Sequence, residues 1–128
     1  METTVKEMLH DIIENPVFDE KVIDCYFAYN YIQIVDHTHL NLKQFKSHIQ
    51  KLKSLIARVE VEVLNCASND KSVFTKHLVR SILKDGSKHT HKVFAEFVIK
   101  DGKIVKCEEL TFLIEGSEAG KDLGSVVM

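Results

Sequence analysis

Residues 91–116 read HKVFAEFVIKDGKIVKCEELTFLIEG, and this stretch decides the fold. Two β-rich runs flank Asp101-Gly102. That dipeptide suits a tight hairpin because both central turn residues tolerate positive φ. The second run sets Glu108 and Glu109 side by side between Cys107 and the apolar residues 110–114. Successive side chains on a strand point to opposite faces. If one face of the sheet is covered, one of these two carboxylates must point into the covered space.

The same periodicities extend outward. Val59, Val61 and Val63 alternate with Arg58, Glu60 and Glu62, which predicts a strand with one wet face. Asn69-Asp70-Lys71 predicts a turn, residues 73–83 another strand, and Asp85-Gly86 another hairpin. Upstream the period is helical. Thr4-x-x-Glu7 has the form of a capping box, and Val5, Met8, Leu9, Ile12 and Ile13 follow at helical spacing as far as about Asn15. Pro16 disfavours helical geometry in the residue before it. Asp19 is placed to cap a short second helix carrying Val22 and Ile23. Residues 26–35, YFAYNYIQIV, are aromatic and β-branched and read as extended. Asn41 and Gln44 form a second capping box, opening a helix with Leu42, Phe45, Ile49, Leu52 and Ile56 on one side. The predicted order is helix, helix, short strand, helix, then four long strands. Helices segregated from a mostly antiparallel sheet make an α+β fold, here a curved meander with helices on its concave side.

The chain has 128 residues, enough for one domain with a substantial core. Residues 1–116 are expected to form it, with 117–128 as a loose tail. A net charge of −2 gives no electrostatic footprint for nucleic acid. No apolar run reaches membrane-spanning length. The opening METTVKEM has no signal-peptide core, and Cys25, Cys66 and Cys107 are odd in number and far apart. A cytoplasmic location with reduced thiols is therefore expected.

Three pieces carry a family resemblance. They are Tyr31-Ile32-Gln33 with Asp36 soon after, Phe45-x-x-His48-Ile49, and Phe97-x-Ile99-x-Asp101-Gly102-Lys103-Ile104 leading to Cys107-x-Glu109-Leu110-Thr111. Together with Asp122-Leu123-Gly124-Ser125 near the end, they resemble the nuclear transport factor 2-like superfamily and, within it, the SnoaL-like proteins. The resemblance implies a conical α+β barrel whose three helices cover the concave face, a pocket at its open end, and a homodimer packed through the outer sheet face. It specifies fold far better than function, since such superfolds host many chemistries. Many relatives place a histidine directly after the glutamine of the early strand, where this chain has Ile34. The late-strand carboxylate of the family maps onto Glu109.

The candidate catalytic residues are Glu109, His48 and Asp36. A carboxylate in an apolar cone has its charged form disfavoured and becomes a competent acid or base near neutral pH. The alternative for Glu109 is a salt bridge or a dimer contact. His48 shares a helix face with Phe45 and Leu52, so it looks inward, either as a site residue or as a core histidine. Asp36 either reaches the cavity mouth or caps its own turn, and the turn role is favoured. Tyr29, Tyr31, Ile34, Phe45, His77, Cys107 and Thr111 are the candidate ligand-binding residues. Cys107 has no nucleophile signature around it and reads as a buried thiol. His37-x-His39 and His89-x-His91 each pair two imidazoles, but neither has a third ligand at motif spacing. Neither a metal nor an organic cofactor is expected.

Two classes of function fit. One is an enzyme that moves protons on a small, apolar carbonyl compound: a cofactor-independent isomerase, cyclase or dehydratase. There Glu109 is base, His48 is acid or orienting group, and Tyr29 and Tyr31 are phenol donors. The other is a non-catalytic ligand-binding or dimerising module, which needs only an apolar lining such as Val59, Val61, Val93 and Phe97. The missing histidine at Ile34 favours the second class, and the inward carboxylate favours the first.

Overall fold

The computed structural model describes residues 1–116 of the protein, so the tail expected over 117–128, with Asp122 to Ser125, lies outside the described residues. Helix α1 (Glu2–Met8) runs straight into a π-helical segment (Leu9–Glu14). Then come α2 (Glu20–Tyr26), β1 (Phe27–Val35), β2 (Thr38–Asn41), α3 (Leu42–Leu55), β3 (Ile56–Ser68), β4 (Ser72–Leu83), β5 (Lys88–Lys100) and β6 (Lys103–Glu115). They build one sheet in the order β2-β1-β6-β5-β4-β3. Strand β1 lies parallel to β6, and every other pairing is antiparallel. The fold is the expected α+β arrangement. The barrel is not closed, however: the curved sheet ends at β2 and β3, which do not pair, and α3 links these two edges directly.

Local chemistry accounts for most of these boundaries. Asp101 (φ 53°) and Gly102 (φ 77°) form the β5–β6 turn in the left-handed region that the dipeptide predicts. The Asp19 side chain accepts from the Lys21 amide at the start of α2. Asn41 and Gln44 exchange side-chain-to-backbone bonds of 2.9 Å each and fix where α3 begins. The capping box expected at Thr4-x-x-Glu7 does not form. Helix α1 already starts at Glu2, with Met1 before it and no side-chain cap. The Glu2 carboxylate instead accepts from the Ser68 hydroxyl at 2.8 Å, which ties the first turn to the end of β3.

Strand β2 has no counterpart in the expected order. It pairs with β1 across a two-residue turn in which Asp36 (φ 46°) and His37 (φ 78°) are both left-handed. Without a glycine, Asp-His gives a weak hairpin signal, although aspartate tolerates this geometry better than most residues.

The core lies between the helices and the concave face. Phe27, Tyr31 and Phe45 cluster there with ring centroids 4.6–5.2 Å apart, joining β1 to α3. On β4, β5 and β6 the odd-numbered residues face inward, including Val73, Val93, Phe97 and Cys107. Most even-numbered residues face out, and there Phe74, Phe94, Leu110, Phe112 and Ile114 are each at least 43% exposed; Ile104, beyond the register shift between Val98 and Ile99, is even-numbered yet wholly buried. No helix among the described residues is long and apolar enough to cross a membrane.

Candidate functional site

Between α3, the π-helical segment and the concave sheet face lies an open cavity of about 230 Å³. Its lining is mostly apolar, with Leu9 and Ile12 from the π-helical segment, Phe45 and Ile49 from α3, and Val93 and Phe97 from β5. Polar groups enter from named strand positions, because inward residues recur every second position. Glu109 on β6 aligns with Ala95 on β5 and with Val35 on β1. Ala95 is the smallest side chain in that row, and Glu109 lines the cavity. Glu108 turns outward and is exposed.

The Glu109 carboxyl is pushed up to about 7. Burial is the larger cause, since a carboxylate loses hydration in an apolar cavity, and the negative charge of Asp36 adds to it. The Cys107 thiol, 3.9 Å away, donates weakly to the carboxyl and opposes the shift. Glu109 forms no ion pair among the described residues. Cys107 is itself fully buried, and burial holds its thiol well above the ordinary range, which suits packing and not nucleophilic attack. The Tyr31 hydroxyl, nearly inaccessible, donates to Gln33 Oε1 at 2.9 Å.

His48 on α3 and His77 on β4 both line the cavity, and burial lowers each to about 4. Both rings are therefore neutral at pH 7. His77 Nδ1 is hydrogen-bonded to Thr75 Oγ1 at 2.9 Å. Acidification from pH 6.5 towards 4 favours the unfolded chain, where both rings take protons freely.

Of the sequence candidates, Glu109, His48, Tyr31, Phe45, His77, Cys107 and Thr111 converge on this cavity. Tyr29 does not: it is 90% exposed. The β1–β6 register shifts between Phe27 and Ile32, so five residues of β1 are spanned by two of β6. Tyr29 sits on that bulged stretch and turns away from the cavity. Ile34 also lies outside it, opposite His39 and Glu108 on the outer side, because Gln33 and Val35 occupy the inward positions. The absence of histidine at Ile34 thus removes nothing from the cavity. Asp36 is not part of the lining. Its carboxylate accepts from the Thr111 amide at 2.8 Å and from the Thr111 hydroxyl, so it clamps β6 from the end of β1.

Lining residues additional to the sequence candidates include Gln33 and His91. Both follow from parity once a neighbour is placed: Gln33 is two residues from Tyr31, and His91 is two from Val93. Val59, Val93 and Phe97 line the cavity as an apolar wall, whereas Val61 does not. His37 and His39 are exposed, while His89 and His91 are buried. Among the described residues no three His, Cys, Asp or Glu side chains are placed to hold a metal ion.

Glu14, Asn15, Lys53 and Arg58 form a polar part of the wall. Lys53 Nζ donates to the carbonyls of Ile12 and Asn15, and Glu14 accepts from the Val61 amide at 2.8 Å. These bonds tie the π-helical segment to α3 and to β3.

No family model matches the chain. An uncharacterised protein of the fission yeast Schizosaccharomyces pombe is 34% identical to it over 97 residues, which cover 76% of this chain and 75% of that protein. Among solved structures, the candidate hydroxylase AclR of Streptomyces galilaeus superposes with a TM-score of 0.74 at 12% identity, covering 87% of each chain. The candidate polyketide cyclase IdmH of Streptomyces antibioticus gives a TM-score of 0.73 at 11% identity, over 86% of this chain and 90% of its own. An LEH-like epoxide hydrolase of M. tuberculosis gives 0.71 at 14% identity, over 86% and 80%. At such identities these likenesses establish the fold alone.

Replacing Glu109 with Gln, close in shape to the protonated acid, removes a proton-dependent cost. A carboxyl raised from 4.5 to about 7 destabilises the folded state progressively over that interval, and fully above it. Chemical denaturation at pH 8 is expected to show Glu109→Gln more stable than wild type by about 3 kcal/mol. The gain should shrink towards zero by pH 4.5. A variant equally or less stable at pH 8 contradicts the assignment.

Proposed function

We infer the function from kinship and site together: the chain belongs to the same family as the fission yeast protein, and its fold is the nuclear transport factor 2-like, SnoaL-like fold. The reading supported best is a small-molecule-pocket protein that moves protons on a small, largely apolar carbonyl compound, without metal or organic cofactor. The observation that carries it is the Glu109 carboxyl, held at about 7 and facing an apolar cavity. Such a group exists in both protonation states at neutral pH, the condition that general acid–base catalysis exploits.

In this reading ionised Glu109 takes a proton from the carbon next to the carbonyl, and the carbon–hydrogen electron pair becomes the enolate. Neutral His48 or His77 supplies an N–H to the developing oxyanion. Protonated Glu109 then returns the proton to the same or another carbon. The outcome is exchange or isomerisation, with no net redox change. Tyr31 is a weaker candidate donor than the sequence suggests, because its hydroxyl is already committed to Gln33. Relatives in fold that bear the names cyclase, hydroxylase and epoxide hydrolase support a small-molecule site of this general kind.

A second reading, a non-catalytic binding module, is favoured by one observation. Several polar groups of the cavity are satisfied within the protein, Tyr31 by Gln33 and His77 by Thr75. For either reading the occupied assembly is proposed to be a homodimer through the outer sheet face. Phe94 and Phe112 pack edge-to-face there with centroids 6.1 Å apart and remain about half exposed, as interface anchors do before a partner covers them. Arg80 and Glu62, paired at 2.8 Å on the same face, offer charges at its border. That Cys25, Cys66 and Cys107 are all free thiols supports a cytoplasmic location.

Incubation with cyclohexanone in D₂O, followed by proton NMR, separates the two readings. The enzyme reading expects α-proton exchange above buffer, rising with pH to a plateau above about 7, and slowed about 100-fold in Glu109→Gln. Shifted protein resonances without exchange favour the binding module. For the assembly, light scattering is expected to give twice the chain mass, and the double variant Phe94→Lys, Phe112→Lys to give the monomer. A monomeric wild type at micromolar concentration rejects the dimer.

A further inference from the structure

Asp36 occupies an unusual position. It sits in the left-handed region at the first position of the β1–β2 turn, directly after Val35, the register partner of Glu109. Its amide donates to the Glu109 carbonyl at 3.0 Å. Its carboxylate accepts from the Thr111 amide at 2.8 Å and from the Thr111 hydroxyl. One residue therefore grips β6 at Glu109 and again two positions further on, across the only parallel junction among the described strands. A cap of its own turn would need none of these long-range bonds.

We propose that Asp36 is a positioning residue for Glu109: it holds the backbone of β6 at the Glu109 carbonyl and at Thr111 two residues further on, and so sets its own carboxylate next to the Glu109 strand position. The inference rests on the reading of Glu109 as the acid–base group. Several other titratable or polar groups line the same cavity. They include Cys107 and Thr111 on β6, Tyr31 and Gln33 on β1, His48 on α3, His77 on β4 and His91 on β5, and also the charged Glu14, Lys53 and Arg58, which are engaged by the Val61 amide, the Ile12 and Asn15 carbonyls and Glu60 respectively. His48 and His77 are neutral at pH 7, so neither offsets the charge of Asp36. Glu108 and Lys106 lie on the outer face and are exposed. The geometry thus sets a fixed carboxylate behind a second carboxyl in an apolar enclosure. Two such groups resist being ionised together.

The test is a carbon-13 NMR titration of the side-chain carboxyls, with the Glu109 signal assigned by its loss in Glu109→Gln. In wild type its midpoint is expected near 7. In Asp36→Asn an amide oxygen still accepts from the Thr111 amide while the charge is gone, and the midpoint should fall by about one pH unit. Thr111→Val keeps the charge and removes only the hydroxyl bond, so it should move the midpoint by much less. A folded Asp36→Asn with an unmoved midpoint overturns the proposal, as does an equal shift in Thr111→Val. If Asp36→Asn does not fold, wild type still decides. The Asp36 carboxyl carbon should show a secondary inflection at the Glu109 midpoint, and a flat trace there overturns the proposal. A wild-type midpoint near 4.5 instead sinks the reading of Glu109 itself. A midpoint near 7 that Asp36→Asn leaves unmoved sinks only the role of Asp36.

Discussion

The rest of the structure depends on how α3 spans a curved sheet. The helix connects the two sheet edges, β2 and β3, and so lies across the concave side without closing the barrel. Its start is fixed by the reciprocal Asn41–Gln44 cap, and its inner face is fixed by Phe45 packing on Phe27 and Tyr31. Apolar burial at one end of the helix therefore supplies stability. At the other end, the π-helical segment is tied to α3 and β3 by Lys53 and Glu14, whose bonds go to backbone groups of Ile12, Asn15 and Val61. An enclosure held by polar ties along one wall and by aromatic packing along another can stay open. A core filled purely to minimise exposed apolar area would not.

Burial along that enclosure has an electrostatic consequence. The groups that enter the cavity are poorly hydrated, and each moves toward its neutral form: Glu109 upward, His48 and His77 downward. The two effects act oppositely on stability. As pH rises from 4.5 to 7, ionising Glu109 weakens the fold. As pH falls from 6.5 to 4, the resistance of the two histidines to protonation weakens it. Around neutrality the cavity holds uncharged imidazoles and a carboxyl close to its midpoint, a combination suited to passing a proton without a large change in field. The cost in stability is of the kind that sites tuned for chemistry carry.

Much of this was legible in the sequence because strands obey strict parity. The alternation over residues 91–116 places Glu109, Cys107 and Thr111 on one face and Glu108 on the other once either side is known to be covered. Helical spacing turns His48 inward beside Phe45. Illegible features came from breaks in periodicity. The stretch between Phe27 and Ile32 bulges against β6, so two tyrosines of equal parity, Tyr29 and Tyr31, end on different sides. The Asp36-His37 turn lacks the glycine that signals a hairpin, so β2 was invisible and Asp36 read as a local cap. In the structure its bonds run 75 residues along the chain to Thr111. The box at Thr4 and Glu7 lost to the tertiary bond between Glu2 and Ser68. Local signals do not record such distant partners.

The most direct measurement is neutron diffraction from crystals grown in D₂O at a pD near 6. The account predicts an open cavity with a deuteron on a Glu109 carboxyl oxygen and only one ring nitrogen deuterated on each of His48 and His77. A bare Glu109 carboxylate, doubly deuterated imidazoles, or side chains filling the space between α3 and the sheet would contradict it.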